Sequence, residues 1–430
     1  MNNHQFISSL TSIDVATIIF FQFLSFLMIF SLIKRKQVNV IDPLTLNIFL
    51  CSSSFSVVGF IYINLGFSNF ILFSFIASNI AYFSAYYFFA INKNNLLKTR
   101  KYIYAVSNWK LFERICLHTA ILYIIFNILS IYIFGFGLSH DNRQTIYLNS
   151  GGLGIIKRVI DATFIPTVLY FTYIFSKNKV NSKRLALLGF SIILIFASLD
   201  GSKSGLLYFF ITFIMCNQFL KTYGVKTNII ISKFTVLIIL SFSVLLAVLV
   251  LSIQYNIFNE PERFFDVFSV LLYRIILATD IYVNGFPGDL IDSIKLNTNP
   301  FLILFKDVLS FFRFNLGKIE PLGNILANRV GSGPWIDVGG PNAGHSIYGY
   351  YLFGTIGAVL FSFIFGIFTG LVRTKLNFAH HHTPVCSLLY FVLFFQLVIF
   401  ILDPSFMMSR LTNFTFIFLP IYFLNRLYKL

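Results

Sequence analysis

The chain has 430 residues, of which 57% are hydrophobic and only 11% charged, with a mean hydropathy of +0.80. That composition excludes a water-soluble globule, because too few polar side chains exist to cover an apolar core of this size. The formal net charge of +16 fits a membrane chain with basic inner loops facing anionic lipid, and excludes nucleic-acid binding as the reason for the basicity.

A helix that crosses a hydrocarbon core of about 30 Å needs about 20 apolar residues. In chain order, such runs occupy 13–33, 44–64, 70–91, 116–138, 155–176, 185–199, 205–220, 234–254, 346–372, 384–402 and 411–424. The pattern predicts an all-α polytopic membrane protein of about eleven transmembrane helices, of which the sixth, seventh and last are short enough to need local thinning. The first run has no basic segment ahead of it and exceeds a signal-peptide core, so it reads as a retained span. No series of short alternating strands appears, which argues against a β-barrel. The expected divisions are spans one to eight (1–254, with an outer loop at 139–154), a large periplasmic loop (255–345) and spans nine to eleven (346–430).

Orientation follows from the basic residues, which stay on the inner side when loops are short. With the N-terminus outside, twenty of the 32 basic residues but only two of the 16 acidic ones, Asp42 and Glu113, fall on inner segments. Twelve cations oppose that rule: Arg143, Lys157, Arg158, Lys203, Arg263, Arg274, Lys295, Lys306, Arg313, Lys318, Arg329 and Arg410. The large outer loop is where function is expected. Within it, 264–281 is apolar but carries Asp266, Arg274 and Asp280, and reads as a re-entrant or interfacial helix. The stretch 300–314 places Lys306 and Arg313 two turns apart on one face of a Phe/Leu/Ile helix, within reach of lipid phosphates.

Two outer loops share a pattern. NRVGSGPWIDVGG runs from Asn328-Arg329 to Gly340, and NRQTIYLNSGGLG from Asn142-Arg143 to Gly154, each arginine being followed after ten residues by a glycine. Glycine lets backbone N–H groups approach an anion, and a guanidinium binds phosphate bidentately. Cys51, Cys116, Cys216 and Cys386 lack metal-ligand spacing and read as packing residues, and the run His380-His381-His382 reads as solvated loop. No metal and no cofactor is expected. Gly366-x-x-x-Gly370 permits close helix packing.

The span count, the large outer loop and the two Arg-x10-Gly loops resemble the Wzy-type O-antigen polymerases, which join oligosaccharide repeat units. The segment GHSIYGYYLFGTIGAVLFSFIFG, with His345-Ser346 followed by Gly354 and Gly357, is similar to the entry of that family's late helix. The related O-antigen ligases have nine residues between the His-Ser or His-Asn pair and the first glycine where this chain has seven. LDGSKSGLL is a further family-like fragment, with Lys203 where relatives commonly carry arginine.

The resemblance implies a glycosyltransferase of lipopolysaccharide biosynthesis in the bacterial cell inner membrane, active on its periplasmic side. Its substrate would be an oligosaccharide on undecaprenyl diphosphate, and membrane lipids and a chain-length regulator would be its partners, with no nucleic acid. The growing chain would pass from its lipid carrier to a new repeat unit, with the lipid diphosphate as leaving group. On this reading Arg143 and Arg329 position the diphosphate or glycan, and His345 is the general base or acid. Arg274, Arg158, Lys203, Arg410 and Arg313, with Gly154 and Gly340, contact substrate.

Plainer readings stand beside these roles. Arg158 could simply pair with Asp161 one turn on, Lys203 could lie in a solvated hairpin with Asp200, Arg410 could snorkel, and His345 could cap a helix. Glu320, Asp337 and Asp280 are rival bases, and Tyr348, Tyr350 and Tyr351 could stack on sugars. The alternative functions are the ligase, a lipid-linked oligosaccharide flippase and a chain-length partner.

Overall fold

A computed structural model describes residues 5–6, 9–37, 42–91, 108–137, 153–177, 179–200, 205–225, 227, 281–294, 296, 299–314, 319–331, 342–377 and 383–428, with isolated positions at 241, 245 and 248. Its α-helices are α1 (Ser12–Ile33), α2 (Pro43–Asn64), α3 (Asn69–Phe89), α4 (Trp109–Phe134), α5 (Ile155–Ser176), α6 (Val180–Leu199), α7 (Gly205–Thr222), α8 (Ile281–Gly285), α9 (Pro300–Leu304), α10 (Lys306–Phe311), α11 (Leu322–Arg329), α12 (His345–Asn377), α13 (Pro384–Leu397), α14 (Pro404–Asn413) and α15 (Leu419–Leu427). A π-helical stretch, Phe414–Phe418, joins the last two.

The chain is an all-α polytopic membrane protein: among the described residues ten helices are long and apolar enough to span. The eighth expected span, 234–254, and the amphipathic segment 264–281 lie outside the described residues, apart from isolated positions. Two spans expected to be short are not. The sixth begins at Val180, because basic residues before Leu185 continue the helix, and the last runs Pro404–Leu427 over 24 residues.

The chain forms two compact units. The first comprises Met1–Lys98, Leu272–Asn377 and Leu393–Thr412. Its first helix starts with a reciprocal cap, in which Asp14 N donates to Thr11 Oγ1 at 3.2 Å and Thr11 N donates to Asp14 Oδ2 at 2.9 Å. Phe6, ahead of α1, forms a buried cluster with Ile18 of α1, Val57 and Ile61 of α2 and Val283 of α8. Helices α3 and α12 pack along their lengths, and Gly366 and Gly370 permit it. A Cβ at Gly366 would meet Tyr82 O at 2.5 Å, and one at Gly370 would meet Phe89 Cβ at 3.0 Å. The packing reading of this Gly-x-x-x-Gly pair therefore holds.

The expectation of one straight span over 346–372 fails. Gly354 has φ 69° and ψ −171°, and α12 reverses there. His345 then lies 2.8 Å from Ser362, seventeen residues away in sequence, and Gly349 backs onto Ala358. Residues 345–353 are thus a re-entrant arm folded against 355–377. Such a backbone is tolerated at membrane depth because protein surrounds it.

At the other end of α12 lies Arg373, one of the basic residues that the sequence puts on inner segments. It is fully buried, with Nη2 2.6 Å from Asp42 Oδ2 and Nε donating to Lys36 O at 3.3 Å. Its guanidinium covers the Phe394 ring at 4.7 Å. Two opposite charges this close offset the desolvation that either alone would suffer.

The second unit comprises Thr99–Leu271, Phe378–Val392 and Asn413–Leu430. Helix α5 packs against α4, α6 and α7, and Gly189 of α6 admits the Phe171 ring. At one end Lys177 Nζ pairs with Glu113 at 2.7 Å, and the Trp109 ring stacks on Tyr173 at 5.2 Å.

These contacts predict a contrast between two helical glycines. Gly366→Ala should lower the thermal unfolding temperature of the detergent-solubilised protein, since the new methyl meets main chain. Gly59→Ala, with nothing within 4 Å of the added carbon, should be neutral or stabilising by roughly 0.5–1 kcal/mol.

Candidate functional site

In the first unit the re-entrant arm organises the end expected to face out. His345 is 1% exposed, between the rings of Tyr82 (5.5 Å) and Phe400 (5.4 Å). Asn79 Nδ2 donates to Phe75 O at 2.8 Å, which turns Asn79 Oδ1 toward His345 Nε2 at 3.2 Å. A carbonyl oxygen only accepts, so Nε2 carries hydrogen and Nδ1 accepts the Ser362 hydroxyl. The neutral imidazole is therefore fully satisfied. Ser362 lies eight residues past the turn, which puts His345 about 12 Å along the long arm from Gly354. His345 was expected at the outer mouth as a base open to substrate. The structure gives it the place of a clamp.

The rest of the arm reaches three neighbouring elements. Tyr282 and Ser346 share a hydrogen bond at 2.7 Å, and a Cβ at Gly344 would lie 2.6 Å from the Tyr282 hydroxyl, so the chain approaches closely there. Tyr348 is buried, Tyr350 and Tyr351 are each partly buried, and Tyr350 donates its hydroxyl to Asp292 at 2.7 Å.

Asp403, in the turn between the spans 384–401 and 404–427, was not among the candidate bases. Its Oδ1 accepts Phe406 N at 2.9 Å and so caps α14. Burial pushes its carboxyl up to about 6; the Phe406 N–H and the Lys306 ammonium oppose that rise, and the Asp307 carboxylate adds to it. Tyr348 and Ser405 complete the surroundings. The sequence signal was an acid heading LDPS between two spans, which also reads as an ordinary cap.

Arg329 ends α11, is exposed, and its Nη1 donates to Ser293 at 3.4 Å. Arg410 is partly buried, its guanidinium 4.8 Å from the Phe406 ring centre, one turn from the Asp403 cap. The expected 300–314 helix breaks at Phe305, and Arg313 lies beyond α10 at φ 59°, exposed. Lys306 and Arg313 therefore do not share one helix face. Glu320 is exposed.

In the second unit, Gly154 caps α5 and its carbonyl accepts Arg158 N at 3.3 Å. The intrahelical pair expected of Arg158 with Asp161 is made by Lys157, 4.0 Å from Asp161 and 3.2 Å from Asp200. Arg158 instead donates Nη1 to Asn413 at 3.2 Å, where the π-helical stretch begins. Two cations and a helix N-terminus thus adjoin the second Arg-x10-Gly loop. Arg143, Arg274, Lys203 and Gly340, with Asp280 and Asp337, lie outside the described residues.

The four cysteines are free, and no metal-binding cluster occurs among the described residues. No protein-family model matches the chain, and no curated protein or solved structure matches it.

If His345 is a clamp, His345→Ala should lower thermal stability by roughly 2–4 kcal/mol, since it leaves Asn79 and Ser362 without their ring partner and opens a void. Arg329→Ala, at an exposed position, should leave the unfolding temperature within about 0.5 kcal/mol of wild type. Denaturation of the two purified variants in one detergent makes the comparison.

Proposed function

We propose that the chain is an O-antigen-type polymerase, a glycosyltransferase of the bacterial inner membrane working on its periplasmic side. It transfers the growing glycan from undecaprenyl diphosphate to the free end of a new lipid-linked repeat unit. The observation that carries the reading is Asp403, a partly buried carboxyl held near neutrality beside Lys306 and Asp307. A general base works best with a pKa near the working pH. Asp403 takes the role first expected of His345, whose ring nitrogens are both engaged.

The chemistry balances without a nucleotide. The acceptor hydroxyl oxygen bonds to the anomeric carbon of the growing chain as the bond from that carbon to the phosphate oxygen breaks. The hydroxyl proton passes to the Asp403 carboxylate. The electron pair leaves with the lipid diphosphate, whose charge is stabilised by Arg329 and, as the family resemblance implies, by Arg143. Arg274, Lys203 and Arg410 act as supporting cations, and Gly154 and Gly340 let the backbone approach the phosphates.

The membrane setting agrees with this use of charge. Cations that oppose the insertion rule are costly to place outside and are retained where an anion needs them. Lipid diphosphate is such an anion, and the exposed Phe301, Phe305, Phe312 and Phe314 around Lys306 and Arg313 supply an apolar surface for its polyprenyl chain.

The pH dependence follows in sign. The folded Asp403 carboxyl titrates near 6, above its usual value of 3.8, so the active carboxylate accumulates as pH rises through 6. Its ionisation costs stability across that same window, and Asp403→Asn removes the cost. Asp403→Asn should therefore slow chain extension by about 10²–10⁴-fold, abolish the acid limb near pH 6, and be no less stable than wild type at pH 8. An extension assay with lipid-linked repeat units, run across pH, checks all three. Arg143→Ala and Arg329→Ala should each leave protein level normal while single repeat units accumulate on lipid A core in cells. Full-length glycan in both would overturn the site, and core with no repeat unit in a deletion strain would point to a ligase or flippase.

A further inference from the structure

The opposite end of the first unit holds a cluster that the proposed reaction does not use. The Arg373–Asp42 pair sits at its centre, fully buried. Lys36 is 7% exposed, donates Nζ to Ala90 O at 2.6 Å and lies 4.5 Å from the Tyr87 ring centre. Asp42 is already committed twice, its Oδ2 to Arg373 and its Oδ1 to the Leu44 N–H. The buried charge is therefore one positive in excess. The neighbouring charged residues described at this end, Lys34, Arg35 and Lys375, are also cations.

Three buried side chains in the same place carry hydrogen-bonding atoms with no partner among the described residues: Arg373 Nη1, the Gln37 amide and the Tyr86 hydroxyl. Gln37 is 3% exposed and Tyr86 0%. Their proximity follows from the contacts already given. Arg373 Nε bonds the carbonyl of Lys36, the residue before Gln37. Tyr86 is an electrostatic neighbour of both Arg373 and Asp42, and its carbonyl lies 3.1 Å from the Cβ position of Gly370, one turn before Arg373. Leaving such groups unpaired costs about 1–3 kcal/mol each, and more for the guanidinium.

We propose that this cluster binds one small anion, received by Arg373 Nη1, Gln37 Nε2 and the Tyr86 hydroxyl and balanced by the Lys36 charge. Three donors and an excess positive charge select against a cation, and an anion gains from the net charge where a neutral water does not. The anion is either a free halide or a phosphate oxygen of an anionic lipid; both accept hydrogen bonds from the same three donors. Its place, between the α1–α2 connection and the ends of α3 and α12, would tie together the helices that carry the re-entrant arm at their other end.

The test uses the full-length protein in discs of zwitterionic lipid, in gluconate buffer of constant ionic strength. Thermal unfolding is followed as chloride replaces gluconate, and separately in chloride-free discs containing phosphatidylglycerol. A halide site predicts that chloride raises the unfolding temperature of wild type, with the midpoint concentration moved about tenfold upward in Tyr86→Phe or Gln37→Met by loss of one hydrogen bond to a charge. A lipid-phosphate site predicts the rise with phosphatidylglycerol alone, again weakened in the variants. Tyr86→Phe removes a single hydroxyl and decides the matter if Gln37→Met does not fold. No rise in either medium, or an equal rise in wild type and Tyr86→Phe, overturns the proposal.

Discussion

The two hydrogen bonds from the His345 ring to Ser362 and Asn79 hold a short helix reversed against its own continuation, in surroundings that offer no water to replace them. A backbone inside a membrane must satisfy its own polar groups, so a reversal survives only where side chains and neighbouring helices enclose it. Gly354 supplies the turn, with a backbone conformation that side-chain-bearing residues rarely adopt. The Tyr282–Ser346 bond adds a second tie, and aromatic rings from Tyr82 and Phe400 flank the imidazole. Once the arm is fixed, Tyr348 reaches Ser405 beside Asp403, and Tyr350 reaches Asp292.

That arrangement separates holding from chemistry. An imidazole with both nitrogens engaged and its faces covered is poorly placed to trade protons with a substrate. A carboxyl raised toward neutrality in a partly buried turn is better suited, and Asp403 has the cation and the second acid beside it that tune it. In the second unit, Lys157 lies beside Asp161 and Asp200, and Arg158 donates to Asn413. The proposed polymerase reaction draws on the first of these features. It asks for a proton acceptor near one saccharide and cations near one diphosphate.

Much of the fold was legible in the sequence, because membrane spans are set by length and apolarity alone. The Gly366 and Gly370 contact was legible too, since small residues at that spacing have few other uses in a span. The reversal at Gly354 was not read, although the 33 residues of α12 exceed one crossing and carried the signal. Hydrophobicity does not distinguish one long helix from a hairpin of two. The charged side chains were harder still. Arg373 reads as a loop cation until Asp42, 331 positions away, is brought to it. Asp403 reads as a cap because its perturbation comes from Lys306 and Asp307, which no local pattern links to it.

The reversed arm is the central claim, and a designed disulfide tests it most directly. A Cβ at Gly349 would lie 3.3 Å from Ala358 Cβ, close to the separation a disulfide requires. In a continuous helix the same two residues would stand about 13 Å apart along the axis. With the four native cysteines replaced, Gly349→Cys combined with Ala358→Cys should form an intramolecular disulfide on mild oxidation in native membranes, seen by mass spectrometry of the linked peptides. Both thiols remaining free to alkylation under those conditions would contradict the re-entrant arm.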